Sequence, residues 1–199
     1  MTTAPQRTWL FPVLRAVPAA VVALGITFSA DHSATLGFLS LGAFAIATGV
    51  VVATGALRGA YPRGPFLLQG SLLVIGGIFA LVSAREEVPA LISVTSVIIG
   101  AGGIIELVVG LRARGRLAGA RDWIFVGAAS ALFAVAVLLI PADFSQTVGA
   151  PGDGFPPLTA SVILVGALGA YAAIVAVYLV IAGLSLKWAS PASTTVSEA

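Results

Sequence analysis

From Leu158 to Leu186 the chain carries no charged residue. Five other stretches are almost as bare: Trp9–Ala30, Thr35–Leu57, Pro65–Ala84, Val88–Leu111 and Trp123–Ile140. Together the six runs hold two charges, Arg15 in the first and Glu106 in the fourth. Each run is close to the ~20 apolar residues that a helix needs to cross a hydrocarbon core. A spanning strand would alternate in polarity over ~10 residues, and these runs do not alternate. The expected fold is therefore an all-α integral membrane protein with six transmembrane helices. Composition agrees: 59% of residues are hydrophobic and 9% charged, against about 25% charged in soluble domains. Pro12, Arg15 and Pro18 interrupt the first run. It reads as a span all the same, because Phe28 stands where a cleaved leader needs a small residue.

Residue types exclude much chemistry. With no Cys, disulfides, thiolate metal sites and Cys nucleophiles are ruled out, and one His and one Met leave little for a transition metal. The expectation is no enzyme, no cofactor and no metal. A net charge of +2 gives no argument for nucleic acid. The expected partners are membrane lipids, with other membrane proteins or further copies of the chain as additional possibilities.

Basic residues set the orientation. Arg7, Arg15, Arg58, Arg63, Arg112, Arg114, Arg116, Arg121 and Lys187 fall on one side of a six-helix arrangement, and Arg85 alone on the other. This asymmetry places both termini in the cytoplasm. The opposite face carries Asp31, Glu86, Glu87, Asp143 and Asp153. Its longest loop, Pro141–Pro157, is rich in Pro and Gly, which argues against regular structure. Residues 1–8 form a cytoplasmic N-terminus, residues 9–187 the transmembrane domain, and residues 188–199 a polar tail expected to be disordered.

The runs pair into three tandem helical hairpins, about 9–58, 65–112 and 123–187. "GVVVATGALRG" from Gly49 aligns without gaps on "GIIELVVGLRA" from Gly103, and "YLVIAGLSLKW" ends the third unit with Leu186 and Lys187 at the Leu-Arg positions. A helical-hairpin period of ~50 residues reads as an internal repeat. Like orientation of the units would put any symmetry axis along the membrane normal.

The stretch "IIGAGGIIELVVGLRARGRLAGARDWIFVGAASALFAVAVLLIPA" resembles the HdeD-like family of bacterial acid-resistance membrane proteins, a family of short two-helix repeats. The likeness rests on Gly103-Ile104, Glu106, the Arg112/Arg114/Arg116 cluster, Trp123 and Pro141. It is best over Phe66–Pro141 and extends from Leu14 to Lys187. Helix 5 departs from the pattern near its start, and its outer loop is unusually long. The resemblance implies a bacterial inner-membrane protein of the envelope or acid-stress response, with no defined substrate.

Four places invite a functional reading. Glu106 lies six residues before Arg112, about 9 Å along a helix, in the leaflet nearer the basic side. Arg15 lies at a similar depth, so the two are expected to face each other within the bundle. A neighbouring cation favours the ionised carboxylate and desolvation favours the neutral acid. Gln69 falls near the same depth. The pair reads either as glue between helices or as a proton-responsive group of a small transporter or channel. In the turn "SADHSA", His32 beside Asp31 is a candidate pH sensor. Adjacent Asp-His-Ser side chains diverge and cannot form a catalytic relay, so capping of helix 2 by Asp31 or Ser33 is the plainer role. Arg112, Arg114, Arg116 and Arg121 suit contact with anionic lipid headgroups or topology alone. A lipid-width groove beside Trp123 and these arginines would favour a lipid-handling accessory subunit of a membrane complex. The acidic turn "SAREEVP" reads as solvated.

Small residues recur at four-residue spacing: Ala43–Ala47, Ala45–Gly49, Gly127–Ala131 and Gly166–Ala170. Such pairs let helix backbones approach closely in lipid. Ser40, Thr48, Thr54, Ser93, Thr95 and Ser96 are available for bonds across the bundle.

Overall fold

The computed structural model describes residues 8–147 and 157–188. Arg7 and the polar tail from residue 189 onward lie outside the described residues. Six helices are present among them: α1 Leu10–Thr27, α2 Ala34–Leu57, α3 Arg63–Val82, α4 Val88–Ala113, α5 Ala120–Leu138 and α6 Ala160–Trp188. All six are long and apolar enough to cross a membrane. The chain is thus a multi-pass helical membrane protein. The six apolar runs and the helices coincide to within a few residues. α3 and α5 begin earlier than their runs, because Arg63, Arg121 and Asp122 extend the helix beyond the apolar core, where charge costs little.

Each helix end has a local cause. Ser33 is the N-cap of α2, and its Oγ accepts from Leu36 N–H at 3.3 Å. At the basic end, the turns after α2 and α4 each reverse through a glycine with φ +75°, Gly59 and Gly115. An L side chain is strained in that conformation, so glycine serves there. Residues 148–156, which hold the glycines of the loop after α5, lie outside the described residues; its two described ends pair with each other. Ser145–Gln146 (β1) and Leu158–Thr159 (β2) form a two-residue antiparallel ladder, pairing Ser145 with Thr159 and Gln146 with Leu158. Ala160 N–H also donates to Phe144 C=O at 2.9 Å, tying the loop to the start of α6.

The closest helix pairs are α2 with α3, α4 with α5, and α1 with α6. Helices of one expected hairpin also touch, α1 with α2 and α3 with α4 more than α5 with α6. The tight seams therefore join helices assigned by sequence to different hairpins, and α1 and α6 bring the two ends of the bundle together.

The seams are made by glycine. A Cβ on Gly49 would lie 2.7 Å from Gly70 O, one on Gly77 2.8 Å from Gly42 O, and one on Gly183 2.9 Å from Trp9 O. Between α4 and α5 a Cβ on Gly103 would lie 3.0 Å from Gly127 O. Of the small-residue pairs, Ala45–Gly49 and Gly127–Ala131 lie on such seams. Ala43 is exposed, and Gly166 and Ala170 are exposed with open space around Gly166. Four-residue spacing marks one stripe of a helix without saying which side it faces. On α2 and α3 the working spacing is seven, Gly42 with Gly49 and Gly70 with Gly77.

Two apolar clusters fill the interior. The larger is mainly aliphatic and includes Phe38, Leu41, Ile98, Ile99, Leu164, Val165 and Leu168. The smaller lies at the basic end and is aromatic: Phe11, Tyr61, Phe66 and Trp123 with Val52, Ala56, Ala113 and Ala120. Tyr61 stacks on Phe66 at 4.8 Å between ring centroids, and Phe66 meets Trp123 at 5.1 Å.

Candidate functional site

Between the two clusters lies the charged centre. Arg15 projects from α1 and Glu106 from α4. Arg15 Nη1 donates to Glu106 Oε1 at 2.5 Å, and Nη2 to Oε2 at 2.6 Å. Gln69 on α3 adds a third arm. Its Nε2 donates to Glu106 Oε2 at 3.0 Å and to Gly102 C=O at 3.1 Å. Arg15, Gln69 and Glu106 are 6%, 1% and 1% exposed. The parallel two-point geometry is that of a guanidinium on an ionised carboxylate. It joins α1 to α4 across residues 91 apart in sequence.

The centre separates two spaces. Toward the basic end, a cavity of about 410 Å³ is lined by Arg15, Glu106, Tyr61, Asp122 and Trp123, with Pro12, Leu117, Leu179 and Leu186 as apolar walls. Its mouth is framed by Gly59–Pro62 and Leu117–Gly119, the connections before α3 and α5. On the other side, a void of about 20 Å³ is lined by Thr48, Gln69, Ser130 and Tyr171. That is room for about one water molecule. Thr48 Oγ1, Gln69 Oε1 and Arg15 Nε have no hydrogen-bond partner among the described residues. Beyond the void, Phe38, Leu41, Leu164 and Leu168 fill the bundle toward the acidic end. The cavity thus stops at the ion pair.

Two further polar links were not singled out in sequence. Tyr178 Oη on α6 donates to Asp122 Oδ1 on α5 at 3.0 Å. Ser130 on α5 and Tyr171 on α6 share a hydrogen bond of 2.7 Å between their hydroxyls. Tyrosines within apolar runs give no partner signal, and Asp122 resembles part of the basic loop until the fold turns it inward. Among the hydroxyl residues named above, Ser96 bridges helices, donating to Ala134 C=O at 3.1 Å. Ser93 bonds Pro89 C=O of its own helix, and Thr48 and Thr95 stay buried with no partner among the described residues.

The other sites lie apart. Asp31 accepts from Ser33 N–H at 2.8 Å and Ser33 Oγ–H at 3.0 Å, which orients the cap of α2. His32 is half-buried in that turn. Arg112, Arg114, Arg116 and Arg121 are all exposed at the basic end. None of them lines the cavity. No group of three His, Cys, Asp or Glu side chains arranged to hold a metal occurs among the described residues. Comparison with family models, with curated proteins and with solved structures returned no match.

Proposed function

We propose that the chain is a non-catalytic protein of the bacterial inner membrane, of the HdeD-like kind, acting in the envelope or acid-stress response. In this reading the basic end faces the cytoplasm, and the hairpins are copies of one unit arranged about an axis along the membrane normal. The cyclic order of tight seams, α2 with α3, α4 with α5 and α6 with α1, supports that arrangement.

The observation that carries the proposal is the closed Arg15–Glu106–Gln69 centre. Both carboxylate oxygens and both terminal guanidinium nitrogens are engaged, and the side chains belong to three different helices. Such a centre suits an interlock that fixes helix register. The apolar layer beyond it favours an interlock over a conduit. A second reading, a lipid-handling subunit, draws on the cavity beside Trp123 near the arginine-rich connection.

Infrared difference spectroscopy in nanodiscs, wild type against Glu106→Gln, tests the interlock. The expected result is a carboxylate band that disappears in Glu106→Gln, with no protonated-carboxyl band. A band that rises on mild acidification and vanishes in Glu106→Gln would replace the interlock with a proton-responsive element, the transporter reading.

A further inference from the structure

The cavity at the basic end has more structure than an interlock needs. Of the three charged side chains lining it, Arg15 and Glu106 cancel each other. Asp122 remains as the net negative charge of the lining, with Arg121 beside it acting from outside the cavity. Its Oδ1 accepts from Tyr178, and its Oδ2 has no hydrogen-bond partner among the described residues. The side chain is half-buried, while neighbouring Arg121 is exposed and outside the lining.

Two aromatic residues stand with it. Tyr61 is 8% exposed and Trp123 7%, their rings edge-to-face at 6.1 Å. Neither Tyr61 Oη nor Trp123 Nε1 bonds another described residue, and both side chains line the cavity. The Tyr61 hydroxyl is not itself sealed off, so it can bond whatever occupies the cavity, water or ligand. Burial also pushes the Tyr61 phenol up, keeping it un-ionised. A carboxylate flanked by two aromatic side chains and apolar walls is complementary to an ammonium group on an apolar body. The volume of about 410 Å³ suits a small organic ligand, since such sites span roughly 300–1,000 Å³. An anion would meet a net negative lining, with both terminal nitrogens of its one guanidinium already engaged by Glu106.

We infer that this cavity binds an ammonium-bearing ligand, with Asp122 as counter-ion and Tyr61 and Trp123 as its aromatic wall. The ammonium could belong to a soluble organic cation or to an amine-headed lipid, because the mouth lies at the helix ends where headgroups sit. The inference does not depend on the stress-response reading.

The test uses the full chain in phosphatidylglycerol nanodiscs and radiolabelled benzyltrimethylammonium as probe. Saturable binding is expected, with the uncharged carbon isostere neopentylbenzene failing to displace it. Asp122→Asn should weaken binding about tenfold, roughly 1.4 kcal/mol, and Tyr61→Phe by a smaller factor. Asp122→Glu should retain binding, which separates loss of charge from loss of fold. Glu86→Gln, in the exposed turn at the other end, should leave it unchanged. Absence of saturable binding, equal displacement by the isostere, or undiminished binding in Asp122→Asn would each overturn the inference. Repeating the titration in phosphatidylethanolamine discs assigns the source. Competition there identifies a lipid headgroup as the occupant, and an unchanged affinity identifies a soluble cation.

Discussion

The two halves of the bundle are held by different means. Toward the acidic end, Phe38, Leu41, Ile98, Leu164 and Leu168 interdigitate, and the Gly42–Gly77 crossing brings two backbones together. Shape does the work there, as expected in lipid, where burial from water no longer drives helix association. Toward the basic end, an aromatic cluster surrounds a cavity, and a three-residue polar centre fixes the relation of α1, α3 and α4. The first half is sensitive to volume and the second to charge. A membrane bundle can thus be rigid and apolar over one leaflet while keeping a polar recess in the other.

This contrast can be broken from either side. The largest effect is expected for Arg15→Met, which leaves Glu106 buried without its cation. Breaking a buried pair in this way costs about 3–5 kcal/mol, readable as a loss of thermal stability in detergent. Adding Glu106→Leu to that variant should recover much of the loss, a non-additivity that independent sites would not show. In the acidic half, Gly77→Leu should cost about 1–3 kcal/mol by driving α3 away from α2. Removing charge there should do nothing comparable, and Glu87→Gln, on an exposed side chain, is the control. Ser33→Ala removes the cap of α2 and should cost about 1 kcal/mol in the same assay. The smallest effect sharpens the contrast by pH. The raised Tyr61 phenol contributes stability that is complete below its ordinary value of 10.0. That contribution is lost as pH rises through the raised value, while the unfolded chain ionises first. Tyr61→Phe should therefore flatten the alkaline fall in melting temperature.

The helices were legible because long uncharged runs have few other uses. Arg15 and Glu106 were legible as a pair for a related reason: two charges at matching depth in an apolar chain have little else to face. Gln69 followed from depth alone. The seams were harder. Nothing in local spacing says that α1 lies against α6, because that contact joins the two ends of the chain. Small-residue spacing could not distinguish Ala45–Gly49, on a seam, from Gly166–Ala170, which faces outward. The cavity was hidden because its key residues, Tyr61, Asp122 and Trp123, sit at helix ends or in a turn. Aromatic and charged residues are common there whatever the fold.

The Arg15–Glu106 pair also bears on how the chain is made. Arg15 enters the bilayer with the first helix, while its partner lies 91 residues further along. At about 5–20 residues per second, Glu106 leaves the ribosome roughly 5–20 s later. During that interval the guanidinium has no carboxylate at its own depth among the helices already made. The first helix must wait at the insertion machinery, or hold its arginine at the headgroups, until the fourth arrives. The ion pair therefore cannot close before the fourth helix is made, and until then α1 lacks the contact that joins it to α4.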